Sequence, residues 1–161
     1  MKTINVKDLM SISGKSGLFR YLAQARNGVV VESLADSKRH IAPATARVSS
    51  LEDIAIFTTG EEVPLSDVFM KIHEKEDGGA APDQKALSSD ALKSYFAELL
   101  PEYDEERVYL SDIKKVVAWY NQLHELELLE VVDKEEEEEE KEEDKPVEEK
   151  PEKGNEAADN T

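Results

Sequence analysis

Gly17-Leu18-Phe19-Arg20-Tyr21-Leu22-Ala23, then Asn27-Gly28, then Val29-Val30-Val31-Glu32-Ser33-Leu34 is the stretch on which the fold turns. Two apolar runs flank an Asn-Gly pair, the strongest short hairpin signal, because both positions of a tight primed turn need positive φ. The spacing predicts two antiparallel strands, although Leu18, Leu22 and Ala25 would also suit one helical face. Further along, Arg39-His40-Ile41-Ala42 stops at Pro43, Arg47-Val48 is brief, and Ile54-Ala55-Ile56-Phe57-Thr58 closes at Gly60. Four or five short strands with loops of this length imply a small SH3-like antiparallel β-barrel or bent sheet.

Helical patterning takes over after residue 60. Glu61-Glu62-Val63-Pro64 reads as a helix start, since proline is tolerated at the first helical position and acids favour the positive end of the dipole. Leu65, Val68, Phe69 and Ile72 then recur at i, i+3, i+4, i+7, and this helix is expected to lie across the sheet. Asp77-Gly78-Gly79 ends it. The fold class is α+β, with a β-rich unit at 1–77 carrying one packed helix, a linker at 78–86 and a helical unit at 87–132. In the helical unit, Ser88 or Ser89 caps a helix bearing Leu92, Tyr95, Phe96 and Leu99, which Pro101 stops. After a connection from Glu102 to Ser111, a longer helix carries Ile113, Val116, Val117, Tyr120 and Leu123. Two helices in so short a stretch cannot enclose a core alone. They must dock on each other and on the β unit, or on a second copy of the chain.

Charge divides the chain more sharply. Residues 133–161 hold 15 Asp and Glu against 5 Lys, a net of −10, which leaves −7 of the chain's −17 for residues 1–132. Val147 is the tail's one large apolar residue, so it cannot offset an ordering cost of roughly 1–2 kcal/mol per residue and is expected to be disordered. Negative charge on both parts argues against broad affinity for nucleic acid or anionic membranes. The absence of cysteine excludes disulfides, thiolate metal sites and cysteine nucleophiles. The opening residues lack the apolar stretch of a signal peptide, and no run reaches the length of a membrane span. A cytoplasmic protein is expected.

Few motifs carry chemistry. Ser13-Gly14-Lys15-Ser16 resembles the end of a phosphate-binding loop, yet Leu9 stands where that motif needs its first glycine. A basic turn is the expected role. Ser111 and Lys114 match a Ser-x-x-Lys pattern, but without companion motifs Ser111 is expected to cap a helix and Lys114-Lys115 to face water. His40, His73 and His124 form no i, i+4 pair, so neither a metal site nor a catalytic set is expected. No cofactor is expected either. Trp119, Tyr120 and Leu126, on a helix with an over-wide apolar face, are the candidate partner-binding residues. Arg20, Lys38, Arg39 and Arg47 are the candidate nucleic-acid contacts, interleaved with Phe19, Tyr21 and Phe57.

Several short blocks together resemble a family of small Bacteroidetes proteins of unknown function. They are Ser11 to Lys15 with Gly17-Leu18, Val31 to Leu34, Leu51 to Ala55 and Glu61 to Leu65. Tyr95 to Ala97, Leu100-Pro101, Arg107 to Tyr109, Ser111 to Lys115 and Trp119 to Asn121 complete the likeness, which spans roughly residues 8–125. The resemblance implies a two-part protein, β-rich then helical, in a bacterial cytoplasm. It implies no activity, cofactor or site residue.

The leading expectation is a non-catalytic protein-interaction or regulatory protein whose partner is another protein or a second copy. The second is a nucleic-acid-associated protein, with the acidic tail competing for the basic residues of the β unit. A small enzyme comes third.

Overall fold

The computed structural model describes residues 2–133. From residue 134 onward, the acidic tail lies outside the described residues. The fold is α+β: five strands form one antiparallel sheet, two small two-stranded pairs flank it, and three α-helices complete it. In the large sheet, β2 (Leu9–Ile12), β3 (Phe19–Ala25), β4 (Gly28–Ser33), β5 (Arg39–Pro43) and β6 (Val48–Ser50) run in the order β5-β4-β3-β2-β6. Edges β5 and β6 do not pair with each other, so the sheet is open and no barrel closes.

The β3–β4 hairpin forms where the sequence places it, but for a different reason. Ala25 pairs with Gly28, which leaves Arg26 and Asn27 in the turn. None of Arg26, Asn27 and Gly28 has positive φ. Gly28 is instead a strand residue pressed against β5, where a Cβ would collide with the Ala42 carbonyl oxygen. Glycine is needed there for close backbone approach. A register shift between Tyr21 and Ala23 marks a bulge that bends β3.

Alternation divides the sheet's apolar residues between two clusters. Ile12, Phe19, Val31 and Ala42 form a small cluster on one face. Leu9, Leu18 and Leu34 join the main core, which also takes residues from all three helices. The β-rich and helical parts therefore share one core.

Helix α1 (Leu65–Lys75) buries Leu65, Val68, Phe69 and Ile72 completely, the stripe read from the sequence. Burial is worth roughly 1.5–3 kcal/mol for each such side chain, so this one face is a main source of stability. Its strand neighbours are not those expected. It packs on β1 (Lys2–Ile4) and on β8 (Val63–Pro64), the partner of β7 (Ala55–Ile56), rather than across the large sheet. The Thr3 hydroxyl fixes that contact by donating to Asp67 Oδ1 at 2.8 Å. A short 3-10 turn at Leu51–Asp53 links β6 to β7.

Helix α2 (Ser89–Leu99) is capped by Ser88, whose side chain accepts from the Ala91 N–H. Helix α3 (Leu110–Glu125) is capped at Tyr109, whose N–H donates to Asp112 Oδ2 at 3.0 Å. Ser111 is thus an exposed first-turn residue and not the N-cap, because Asp112 reaches back to the chain two residues earlier than expected. Segment 78–86 is packed onto α3. The Tyr120 hydroxyl donates to Gly79 O at 2.8 Å and the Ala81 N–H donates to Asn121 Oδ1 at 2.8 Å. After α3 the chain forms β9 (Val131–Asp133), antiparallel to β1, with Thr3 opposite Val132. Val131 to Asp133 are therefore ordered strand, although helical unit and tail were expected to meet there.

Candidate functional site

The α3 surface facing the sheet supplies the site. Lys115, Trp119 and Gln122 fall at i, i+4 and i+7, on one side of the helix beside the buried Val116–Tyr120–Leu123 stripe. Opposite them runs the β2–β3 loop, residues 13–18. Gly14 and Gly17 hold φ of +85° and +79° there, so the loop can turn back on itself. Two anchors fix it. The Ser13 N–H donates to Arg47 O at 2.9 Å, and the Leu18 N–H donates to Gln122 Oε1 at 2.8 Å. A single side-chain amide thereby ties the loop to the helix.

Between loop and helix lies a cleft of about 540 Å³. Lys15, Arg47, Lys114 and Lys115 line it, together with the hydroxyl-bearing Ser11, Ser13, Ser16 and Ser49. Among the described residues no aspartate, glutamate or histidine lines it. None of the four cations takes part in an ion pair among the described residues. Trp119, half-buried and the chain's sole tryptophan, forms part of the wall. The same indole lines a second depression of about 310 Å³, bounded by Ile54, Phe57, Val108 and Arg107. Trp119, Lys115, Ser11 and Ser49 belong to both hollows. One hollow beside the indole is therefore cationic and the other largely apolar, with Lys115 common to both. On the apolar side the Arg107 guanidinium lies 4.3 Å from the Phe57 ring centroid, and its Nε donates to Asp104 at 2.7 Å. That contact holds the Asp104 carboxyl below the usual carboxylate range.

The expected site residues scatter. Trp119 is central to both hollows. Tyr120 is fully buried between Phe69 and His124, with its hydroxyl spent on Gly79, so it is a core residue and not a surface anchor. Burial, with Glu76 nearby, pushes its phenol up to about 12. Leu126 sits at the α3 C-cap, 40% exposed, and lines neither hollow. Of the four basic candidates only Arg47 enters the cleft. Arg20 and Arg39 stand on either side of Glu32 in one cross-strand row, which offsets their charge. Lys38 sits in the β4–β5 turn, its N–H donating to Asp36. Phe19 is buried in the small cluster and offers no stacking surface.

The sequence alone places Lys15 in a basic turn and Lys114-Lys115 on a face toward water, yet all three line the cleft. Their signal was the one-turn spacing of Lys115 and Trp119, together with a Gly-Lys-Ser loop that only the fold brings opposite them. Among the described residues no group of His, Cys, Asp and Glu has metal-ligand geometry, and no helix is long and apolar enough to cross a membrane.

Two family models match the chain, each a domain of unknown function: DUF5606 over residues 6–51 and DUF6852 over residues 54–123. No curated protein matches it. A solution NMR structure of a structural-genomics target from Bacteroides vulgatus is 44% identical, with a TM-score of 0.66. The match covers 78% of this chain and 90% of that one. The chain belongs to this family of Bacteroidetes-type proteins of unknown function. The two family models meet between residues 51 and 54, at the 3-10 turn. Every cation of the cleft except Lys114 and Lys115 thus falls in the first region, and Trp119 falls in the second.

Proposed function

We propose that this family member is a non-catalytic protein-interaction module of the bacterial cytoplasm, with its docking face on the apolar side of Trp119. The observation that carries the reading is the half-buried indole shared by two adjoining hollows, since tryptophan is a favoured interface anchor when one face remains open. Phe57, 37% exposed, and the apolar stem of Arg107 extend that surface. Lys115, on the shared rim, favours a partner segment that places an acidic group next to an apolar side chain.

Affinity capture with the full chain, Trp119→Ala and Phe57→Ala tests this. Loss of one specific partner from both variants, with thermal unfolding that shows each still folds, supports the docking face. A partner retained by both variants refutes it. Nucleic acid is the second reading, favoured by Arg47 standing with three lysines in the cleft. It requires binding that weakens steeply with salt and is lost in Arg47→Ala.

A further inference from the structure

We propose that the larger cleft binds a nucleoside phosphate, with the phosphates among Lys15, Arg47, Lys114 and Lys115 and the base against Trp119. The four cations arrive from three separate stretches of chain: the β2–β3 loop, the approach to β6, and the first half of α3. Residues 1–132 carry net negative charge, yet no carboxylate among the described residues lines this cleft. Gathering four like charges without a counter-charge raises the energy of the empty site through mutual repulsion, and a bound polyanion relieves it.

Donors in the loop point to phosphate. The N–H groups of Gly14, Ser16 and Gly17 make no hydrogen bond among the described residues, and Ser13 and Ser16 add hydroxyls. Lys15 N–H is spent on Ile12 O, but the adjacent free amides of Ser16 and the left-handed Gly17 suit an anion-binding concavity. Trp119 is the one aromatic residue on this cleft, and a flat base stacks on such a face whatever its identity. A volume of about 540 Å³ lies within the roughly 300–1,000 Å³ of small-molecule sites. Convergence of the cations on one hollow, with Arg20, Lys38 and Arg39 elsewhere, favours a compact ligand over a nucleic-acid strand. Binding without hydrolysis is the expectation, since the lining among the described residues has no carboxylate or imidazole to activate water. The site adjoins the protein-docking surface and shares Trp119 and Lys115 with it, whereas Lys15, Arg47 and Lys114 line the larger cleft alone.

The test uses the full chain with ADP, GDP, adenosine, pyrophosphate and an octamer of uridylate as probes. Equilibrium dialysis gives the affinities, and emission of the sole tryptophan reports on the site. ADP or GDP is expected to bind saturably, to quench Trp119, and to bind more tightly than adenosine or pyrophosphate. Arg47→Ala and the double variant Lys114→Ala/Lys115→Ala, all at exposed positions, should each weaken binding by about tenfold, as loss of a charge-assisted contact does. Lys93→Ala, on the exposed side of α2, should leave it unchanged. The proposal is overturned by any of four results: no saturable binding of ADP or GDP at millimolar concentration, equal affinity for either half of the molecule, affinity that survives the double variant, or tighter binding of the uridylate octamer.

Discussion

Replacing Gln122 by leucine is expected to cost about 2 kcal/mol. The side-chain oxygen accepts from the Leu18 N–H at 2.8 Å, and Leu18 is only 1% exposed. Leucine keeps most of the volume but removes the acceptor. The Leu18 N–H would then remain buried without a partner, and an orphaned buried donor costs about 1–3 kcal/mol. Against a total stability of roughly 5–15 kcal/mol, that loss is readily measured. Gln122→Glu keeps an oxygen in place and is expected to hold stability near that of the native chain. Because it puts a negative charge beside the cationic cleft, it should weaken anion binding. Urea unfolding followed by far-UV circular dichroism gives the free energies, and amide exchange at Leu18 reports the local bond. If Gln122→Leu unfolds within about 0.5 kcal/mol of the native chain, the scatter of neutral surface substitutions, and Leu18 exchange is unchanged, the bond does not hold the loop.

Two further predictions concern the scaffold. Gly28→Ala should destabilise by about 1–3 kcal/mol in urea unfolding, because its methyl would collide with the Ala42 carbonyl, whereas Asn27→Ala should be nearly neutral; the reverse ranking would restore the positive-φ turn. Tyr95 and Tyr120 both have phenols raised by burial and by Glu76, Tyr120 to about 12. A raised folded-state value means stability is fully present below the unfolded value near 10 and falls as pH rises from there toward 12. Tyr120→Phe should lose about 1 kcal/mol at neutral pH with its bond to Gly79, yet show a shallower loss above pH 10. An unchanged alkaline slope in that variant would count against the assignment.

Local patterns were legible in the sequence where one element's own spacing decided the outcome. The α1 stripe, the Ser88 cap and the stop at Pro101 rest on residues within a turn or two of each other. Contacts between distant segments were not. Tyr120 and Trp119 are neighbours with similar chemistry, and the packing of α1 and of segment 78–86 on α3 buries one, while the other is left half open. The Asn27-Gly28 pair signalled the hairpin correctly through the wrong physics, since what Gly28 accommodates is a strand that follows later in the chain. The cationic cleft was missed because Lys15 and Lys114 are 99 positions apart, and nothing in either neighbourhood marks their meeting.

The pairing of β1 with β9 sets a clock on biogenesis. Ile4, fully buried, lies opposite Val131, and Thr3 lies opposite Val132. The first strand made is thus completed by nearly the last of the described residues. At roughly 5–20 residues per second, β1 waits on the order of ten seconds for its partner to be synthesised. Until then β1, on which α1 packs, has no strand partner at its edge. The β1 edge can therefore be paired only once β9 has left the ribosome, and a chain released before Val131 keeps an open strand edge of the kind that recruits other chains.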